Sequence, residues 1–249
     1  MLVQGTYRLR GHVSDVWGCY LNEFGELAWA RPAELAGVPL EERQPPSTPV
    51  AYHDRQGKIT DWSSATTGAH VVCGSLRRKA VALELDFDPD IVWFSGEPVE
   101  LQWTNGPRKN RWRPDFMART ADGERVAIVL RPEHSGPQWH KRLAVLDEVA
   151  EQAQWQVNVV DVPHGVRATN LEWAADYRQL VPVDAWEVEA VLAAFQRPQQ
   201  VREGALASGV PELAALDLVY RLIWQRRLQI HWDQPLLPTA LAWIAPETT

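Results

Sequence analysis

The sequence has only two cysteines, Cys19 and Cys73. They fit no metal-ligand spacing, and a disulfide between them is not expected in a reducing compartment. No apolar run approaches the roughly 20 residues that a membrane helix needs. A glycine-rich phosphate loop is missing, and so is any Ser-His-Asp arrangement. The opening MLVQGTYRLRG lacks the basic-then-apolar order of a signal peptide, so the expected compartment is the cytoplasm. Positive charge is also in short supply. The formal net charge is −7, which speaks against a surface that binds nucleic acid everywhere.

Tryptophan is what the chain has in excess, with 13 among 249 residues. Trp fills cores and anchors interfaces, so large cores are the first expectation and partner surfaces the second. A hydrophobic share of 45% with 23% charged residues is ordinary for a globular protein. The length suits one large or two modest domains. Basic residues concentrate in one place: GPRKNRWR carries Arg108, Lys109, Arg111 and Arg113 with no acid among them. That strip reads either as a solvated hairpin loop or as a contact to DNA or a nucleotide.

Residues 1–60 read as an N-terminal extension with short strands at TYRLRGHV and VWGCYL. ERQPPSTP is a proline-rich linker or loop, and PVAYHDRQGKIT alternates like a strand pair. A core is expected over 61–165. SLRRKAVALELDF predicts a helix with Leu76, Ala80, Leu83 and Phe87 on one stripe. IVWFSGEPVELQW gives one or two strands. RWRPDFMART is a strand, ADG a turn, and ERVAIVLR a second strand, apolar on both faces as a buried central strand should be. WHKRLAVLDEVAEQAQW is a helix and QVNVV closes with a strand. The order is α/β. Over 166–249 the chain crosses VPHGVRATN and becomes helical. Asp184 and Glu187 resemble a capping box, a short helix follows near 201–207, and another starts after Pro211 with Leu213, Leu216, Tyr220 and Ile223 on a stripe. LQIHW and TALAWI read as two strands. Three helices and a hairpin make a winged-helix-like order.

The chemistry-bearing signal is Pro114-Asp115-Phe116, a turn, then Val129-Leu130-Arg131 on the next strand. In nucleases of the PD-(D/E)xK kind an Asp ends one strand, and an acid and a Lys stand two apart on its neighbour. Alternate residues share a face, so positions 129 and 131 would both approach Asp115. Two carboxylates there hold a hard cation such as Mg²⁺. Taken alone, Asp115 is a plain strand-end residue that caps a turn. His134 and His140 fit no helical ligand spacing, and no metal site is expected from them.

The flanking motifs carry a resemblance. SLRRKAVALELDFDPD resembles the opening helix of the TnsA-type transposase endonuclease subunits, which runs into Leu-Asp-Phe-Asp-Pro. GEPVELQW, WRPDF and VAIVLRP resemble the strands that follow. LVYRLIWQRRLQIHWDQPLLPT is similar to the family's terminal winged-helix domain. The likeness spans about residues 50–249 and implies a restriction-endonuclease-like core with a C-terminal winged-helix-like helical domain. It also places the family's helix Glu at Arg78, its second acid or amide at Val129 and its Lys at Arg131. Only Asp115 keeps its type. Arg cannot serve as a base, and Val supplies no ligand.

The resemblance therefore implies a pseudonuclease: a TnsA-like subunit of a heteromeric transposase, without catalysis or a cofactor. Its partners would be DNA at transposon ends, a transposase subunit and an AAA+ regulator of transposition. The vestigial site would comprise Asp115 and Arg131 with degenerate positions Arg78 and Val129, leaving a positive pocket for a DNA phosphate. DNA contacts would come from Arg77, Arg78, Lys79, Arg108, Lys109, Arg111 and Arg113, although the first three also read as a solvated helix face. Two alternatives stay open. One is an active Mg²⁺-dependent endonuclease making 5′-end cuts, with a migrated acid at Glu84, Glu97, Glu124 or Glu133. The other is a winged-helix regulator that reads DNA through a helix over 211–227, with Arg221, Arg226 and Arg227 set against Glu212 and Asp217.

Overall fold

The computed structural model describes residues 15–47, 60–105, 107–178 and 182–245. The strands expected at TYRLRGHV and within PVAYHDRQGKIT lie outside the described residues, Thr60 apart. The architecture is mixed α/β, with seven helices and four sheets among the described residues. The chain divides into two compact units, Met1–Val162 and Pro163–Thr249.

In the first unit, β1 (Trp17–Leu21) and β2 (Leu27–Ala30) form a hairpin. The Asn22 side chain holds its turn, accepting from the Phe24 and Glu26 amides at 2.9 Å each. Helix α1 (Pro32–Leu35) starts on a proline, whose missing N–H costs nothing there. A 3-10 turn follows at Leu40–Glu42, then the short pair β3 (Asp61–Ser63) and β4 (His70–Val72). Next come α2 (Leu76–Phe87), β5 (Ile91–Gly96), β6 (Val99–Asn105), β7 (Arg108–Trp112), β8 (Phe116–Thr120), β9 (Arg125–Leu130), α3 (Pro137–Ala153) and β10 (Gln156–Val160).

These strands make two four-stranded sheets, ordered β2-β1-β6-β7 and β10-β9-β8-β5. All pairs are antiparallel except β9 with β10. The single strand expected over RWRPDFMART is instead two. Pro114 has no amide to give a ladder, and the chain changes sheet there, so β7 and β8 belong to different sheets. Arg108–Trp112 of the basic strip is accordingly an edge strand rather than a loop, and Arg113 follows it. A core of Val99, Leu101 and Trp103 from β6, Met117 from β8, Ala127 and Val129 from β9, and Val145, Leu146 and Val149 from α3 joins the sheets to that helix.

Helix α2 matches its expected span, but its buried face differs. Leu76 is 64% exposed, while Val81, Ala82, Leu83, Leu85 and Asp86 are buried. The periodicity misleads because a buried acid sets the helix rotation. Asp86 accepts from Trp62 Nε1 at 3.0 Å, Ser64 Oγ at 2.6 Å, and the Ala65 and Thr66 amides at 3.0 and 2.8 Å. Those bonds repay the desolvation of a carboxylate and fix the turn after β3 onto α2.

The second unit contains α4 (Gly165–Ala175), α5 (Ala185–Ala194), β11 (Gln199–Gln200), α6 (Val201–Ala207), α7 (Glu212–Trp224), β12 (Leu228–Ile230) and β13 (Leu241–Ile244). Its sheet runs β11-β13-β12. The stretch VPHGVRATN, expected as a crossing, turns into α4 from Gly165 onward. Buried Asn170 anchors that helix by donating to the carbonyls of Trp232 and Gln234 and accepting from the Leu236 amide. At α5, Glu187 accepts from the Asp184 amide at 3.2 Å, the backbone half of the expected capping box. Helix α7 buries Ala215, Leu218, Val219, Tyr220, Leu222, Ile223 and Trp224, while Leu213 is 81% exposed. It is a core helix, with buried residues on most of its faces. No helix among the described residues is long and apolar enough to cross a membrane.

Candidate functional site

Two chain crossings build the site. After β5 the chain leaves one sheet for the other through Glu97 and Pro98. It returns between β7 and β8 through Arg113, Pro114 and Asp115. The crossings lie against each other, with the Glu97 amide donating to the Asp115 carbonyl at 3.0 Å. Glu97 adopts a left-handed φ of +50°, a conformation uncommon outside glycine. Gly96 precedes it, and β4 passes so close that a Cβ there would stand 1.9 Å from the Val72 carbonyl oxygen.

Helix α2 brings Arg78 onto this pair. Ser75 caps the helix by accepting from the Arg78 amide at 3.3 Å, which sets Arg78 in the first turn. Arg78 Nε donates to Asp115 Oδ1, and Arg78 Nη1 pairs with Glu97 Oε1, each at 2.5 Å. The second oxygen of Asp115 accepts from the Leu130 amide at 2.7 Å. Asp115 and Glu97 are each 7% exposed. Burial pulls the Arg78 pKa down, but the charges of Asp115 and Glu97 and the hydrogen bond to Asp115 outweigh it. The guanidinium ends above its ordinary value and stays charged.

The other expected positions distribute around this pair. The ladder from Phe116↔Ile128 leads Asp115 opposite Val129, whose side chain is fully buried in the core with α3. That position is occupied by packing. Arg131 pairs with Asp161 at 2.9 Å, at the end of β10. Arg77 donates to the Arg131 carbonyl at 3.0 Å and lies 3.6 Å from Glu133. Lys79 Nζ sits 5.9 Å from the Trp62 ring centroid. Arg113 is held by Glu100 at 2.9 Å and by Ser47, through its carbonyl at 3.1 Å and its hydroxyl at 2.6 Å. Arg108, Lys109 and Arg111 are exposed on β7 and make no ion pair among the described residues. His134 lies in a loop and His140 on α3.

The expected positive pocket does not form. One guanidinium between two carboxylates sums to a formal charge of −1. The Mg²⁺ expected of an active nuclease of the kind that the sequence resembles does not fit this donor set either. Asp115 and Glu97 could share a hard cation with water, but Arg78 holds both and would repel one. Among the described residues, no group of three or more His, Cys, Asp or Glu side chains could hold a metal ion. Of the four candidate migrated acids, Glu97 is the one in contact with Arg78. Its signal in the sequence is the Gly-Glu-Pro that forces a crossing.

No family model matches the chain, and no curated protein matches it.

Cys73 lies beside the site, fully buried and free of any disulfide, as Cys19 is. Burial, then the charge of Asp61, pushes its thiol up to about 12 from 9.0, against the opposing pull of Lys79 and Arg78. An acid whose pKa is raised by folding contributes stability below its unfolded pKa and loses it as pH climbs toward the folded one. Unfolding free energy should therefore fall by up to about 1.4 kcal/mol per pH unit between about pH 9 and 12 from this group alone. Chemical denaturation at pH 7.5, 9 and 10.5 checks it. Cys73→Val should flatten the alkaline slope, and an unchanged slope would place the loss elsewhere.

Proposed function

We propose that the chain is a catalytically silent, TnsA-like subunit of a heteromeric DNA transposase, with a restriction-endonuclease-like core and a winged-helix-like C-terminal domain. The observation that carries this reading is the guanidinium of Arg78 clasped by Asp115 and Glu97. A cation of the protein's own stands where a nuclease of this kind keeps its metal. The second acid position is a core valine. On this reading an α/β scaffold is kept around a site without a ligand set, as a subunit retained for binding would keep it. The partner transposase supplies the strand chemistry, with an AAA+ regulator alongside, and the setting is cytoplasmic. Exposed cations on β7 give DNA a place to bind. The regulator alternative draws less support, because the exposed start of α7 offers Glu212 and Asp217 and no cation.

A second reading has one specific observation behind it. Glu97 stands beside Asp115, so an active centre would follow if Arg78 swung away. A nicking assay on supercoiled plasmid with Mg²⁺ or Mn²⁺ separates the two. The pseudonuclease reading expects no nicking above the level of an Asp115→Asn control. Metal-dependent nicking that disappears in that control would overturn it.

A further inference from the structure

The sheet ordered β2-β1-β6-β7 turns one face to the core, and on the other Trp29, Lys109 and Arg111 are exposed among the described residues. Alternation along the strands assigns the faces. Ala30, Val99, Leu101 and Trp103 belong to the core, so Trp17, Trp29, Gln102, Lys109 and Arg111 face outward. Trp17, Gln102 and Arg111 fall in one row across three strands. A groove of about 380 Å³ crosses all four strands, lined by Trp17, Trp29, Gln102, Thr104, Lys109 and Asp15 among others.

We infer that this groove binds unpaired nucleotides of a DNA strand, stacking a base on Trp29 and holding the adjoining phosphates with Lys109 and Arg111. Three observations carry it. Trp29 is 50% exposed, a large apolar ring left half open to water on a strand. Arg31 already stacks on Trp17, with its guanidinium carbon 3.9 Å from the ring centroid, while pairing with Asp15 at 2.5 Å. That contact fixes one wall of the groove and neutralises its acid. On that outward face the four strands carry the cations Lys109 and Arg111 against one acid, Glu100, which is taken by Arg113. The local charge is thus positive on a chain of net charge −7. An open aromatic ring beside cations that make no ion pair among the described residues has the elements of the stacking and phosphate-tracking surface of single-strand binders. A duplex hides its base faces, and the groove has the volume of a small-ligand site, a class that spans about 300–1,000 Å³. It therefore suits one or two splayed nucleotides.

The inference rests in part on the DNA-binding reading above, and its test keeps the two apart. Fluorescence anisotropy with the full chain compares a labelled twelve-residue oligo-dT with a blunt hairpin duplex. The expected result is tighter binding of oligo-dT, weakened about tenfold by Trp29→Ala. Lys109→Gln with Arg111→Gln should lower the slope of log affinity against log salt by about 0.7 for each lost phosphate contact. Trp29 is half exposed, so thermal unfolding should show the variant folded. Should a destabilised variant result, Trp29→Phe offers a smaller ring at the same place and an intermediate affinity. Duplex bound as tightly as oligo-dT, with Trp29→Ala silent, would overturn the groove and leave DNA binding standing. Binding of neither probe would overturn both. Tryptophan quenching by an acidic peptide without oligo-dT binding would reassign the groove to a protein.

Discussion

Arg78→Ala is expected to lower the unfolding free energy by about 3–5 kcal/mol, the range for removing one partner of a buried charge pair. The substitution leaves Asp115 and Glu97, both buried, without the cation that each touches at 2.5 Å. In a unit of this size the loss is on the order of 10 °C in Tm. A further outcome marks the cause as electrostatic. Millimolar Mn²⁺ should restore Tm in this variant, because a cation that replaces the guanidinium would touch both acids. Binding at a hundredfold over the dissociation constant contributes about 2.7 kcal/mol. The wild type should show no such restoration. Combining Arg78→Met, Glu97→Gln and Asp115→Asn removes the charges together and should cost less than Arg78→Ala alone. The amide oxygen of Asp115→Asn can still accept from Leu130. Thermal unfolding by circular dichroism reads the wild type and both variants, with and without the metal. An Arg78→Ala protein as stable as wild type, at pH 7 and without metal, would show that the clasp does not hold the site.

Gly96→Ala is expected to cost at least about 3 kcal/mol, the upper end for overpacking a rigid site. The added carbon would stand 1.9 Å from a backbone oxygen of β4. Backbone cannot rotate aside as a side chain can, so β4 or the crossing must move. The crossing carries Glu97, and its shift would pull one carboxylate from Arg78. Gly136→Ala makes the matched control, since nothing lies within 4 Å of its added carbon and its φ of −88° is ordinary. That change should stay within about 1 kcal/mol. Equal Tm values for the two variants would mean that β4 and the crossing separate freely.

The elements were largely legible in the sequence, and the way they join was not. Helices α2 and α3 and strands β9 and β10 follow from apolar spacing and from their flanking turns, because local periodicity dictates them. The splitting of RWRPDFMART between two sheets depends on where β7 finds a partner, which is a long-range matter that Pro114 only hints at. The rotation of α2 was misjudged because Asp86, a charged residue, is buried by bonds from a turn 20 residues earlier. No hydrophobic pattern encodes such a bond. The sequence marks Arg78 by its place before Leu85-Asp86-Phe87, and the structure brings it to Asp115. What it does there was misread, since Glu97 reaches it from another crossing and cancels the expected positive pocket. Trp17 and Trp29 were not singled out at all. Their outward direction follows from pairing with β6 and from which alternate residues the core claims, and neither is visible before β1 and β6 are known to be neighbours.

The proposed function puts Arg78, a cation of the protein's own, in the place of a metal. Mn²⁺ binding to the wild type, followed by the loss of the free-ion electron paramagnetic resonance signal, decides this. The result predicted is no binding at millimolar Mn²⁺ that depends on Asp115, with a stoichiometric site appearing in Arg78→Ala. A stoichiometric site in the wild type that vanishes in Asp115→Asn would contradict it.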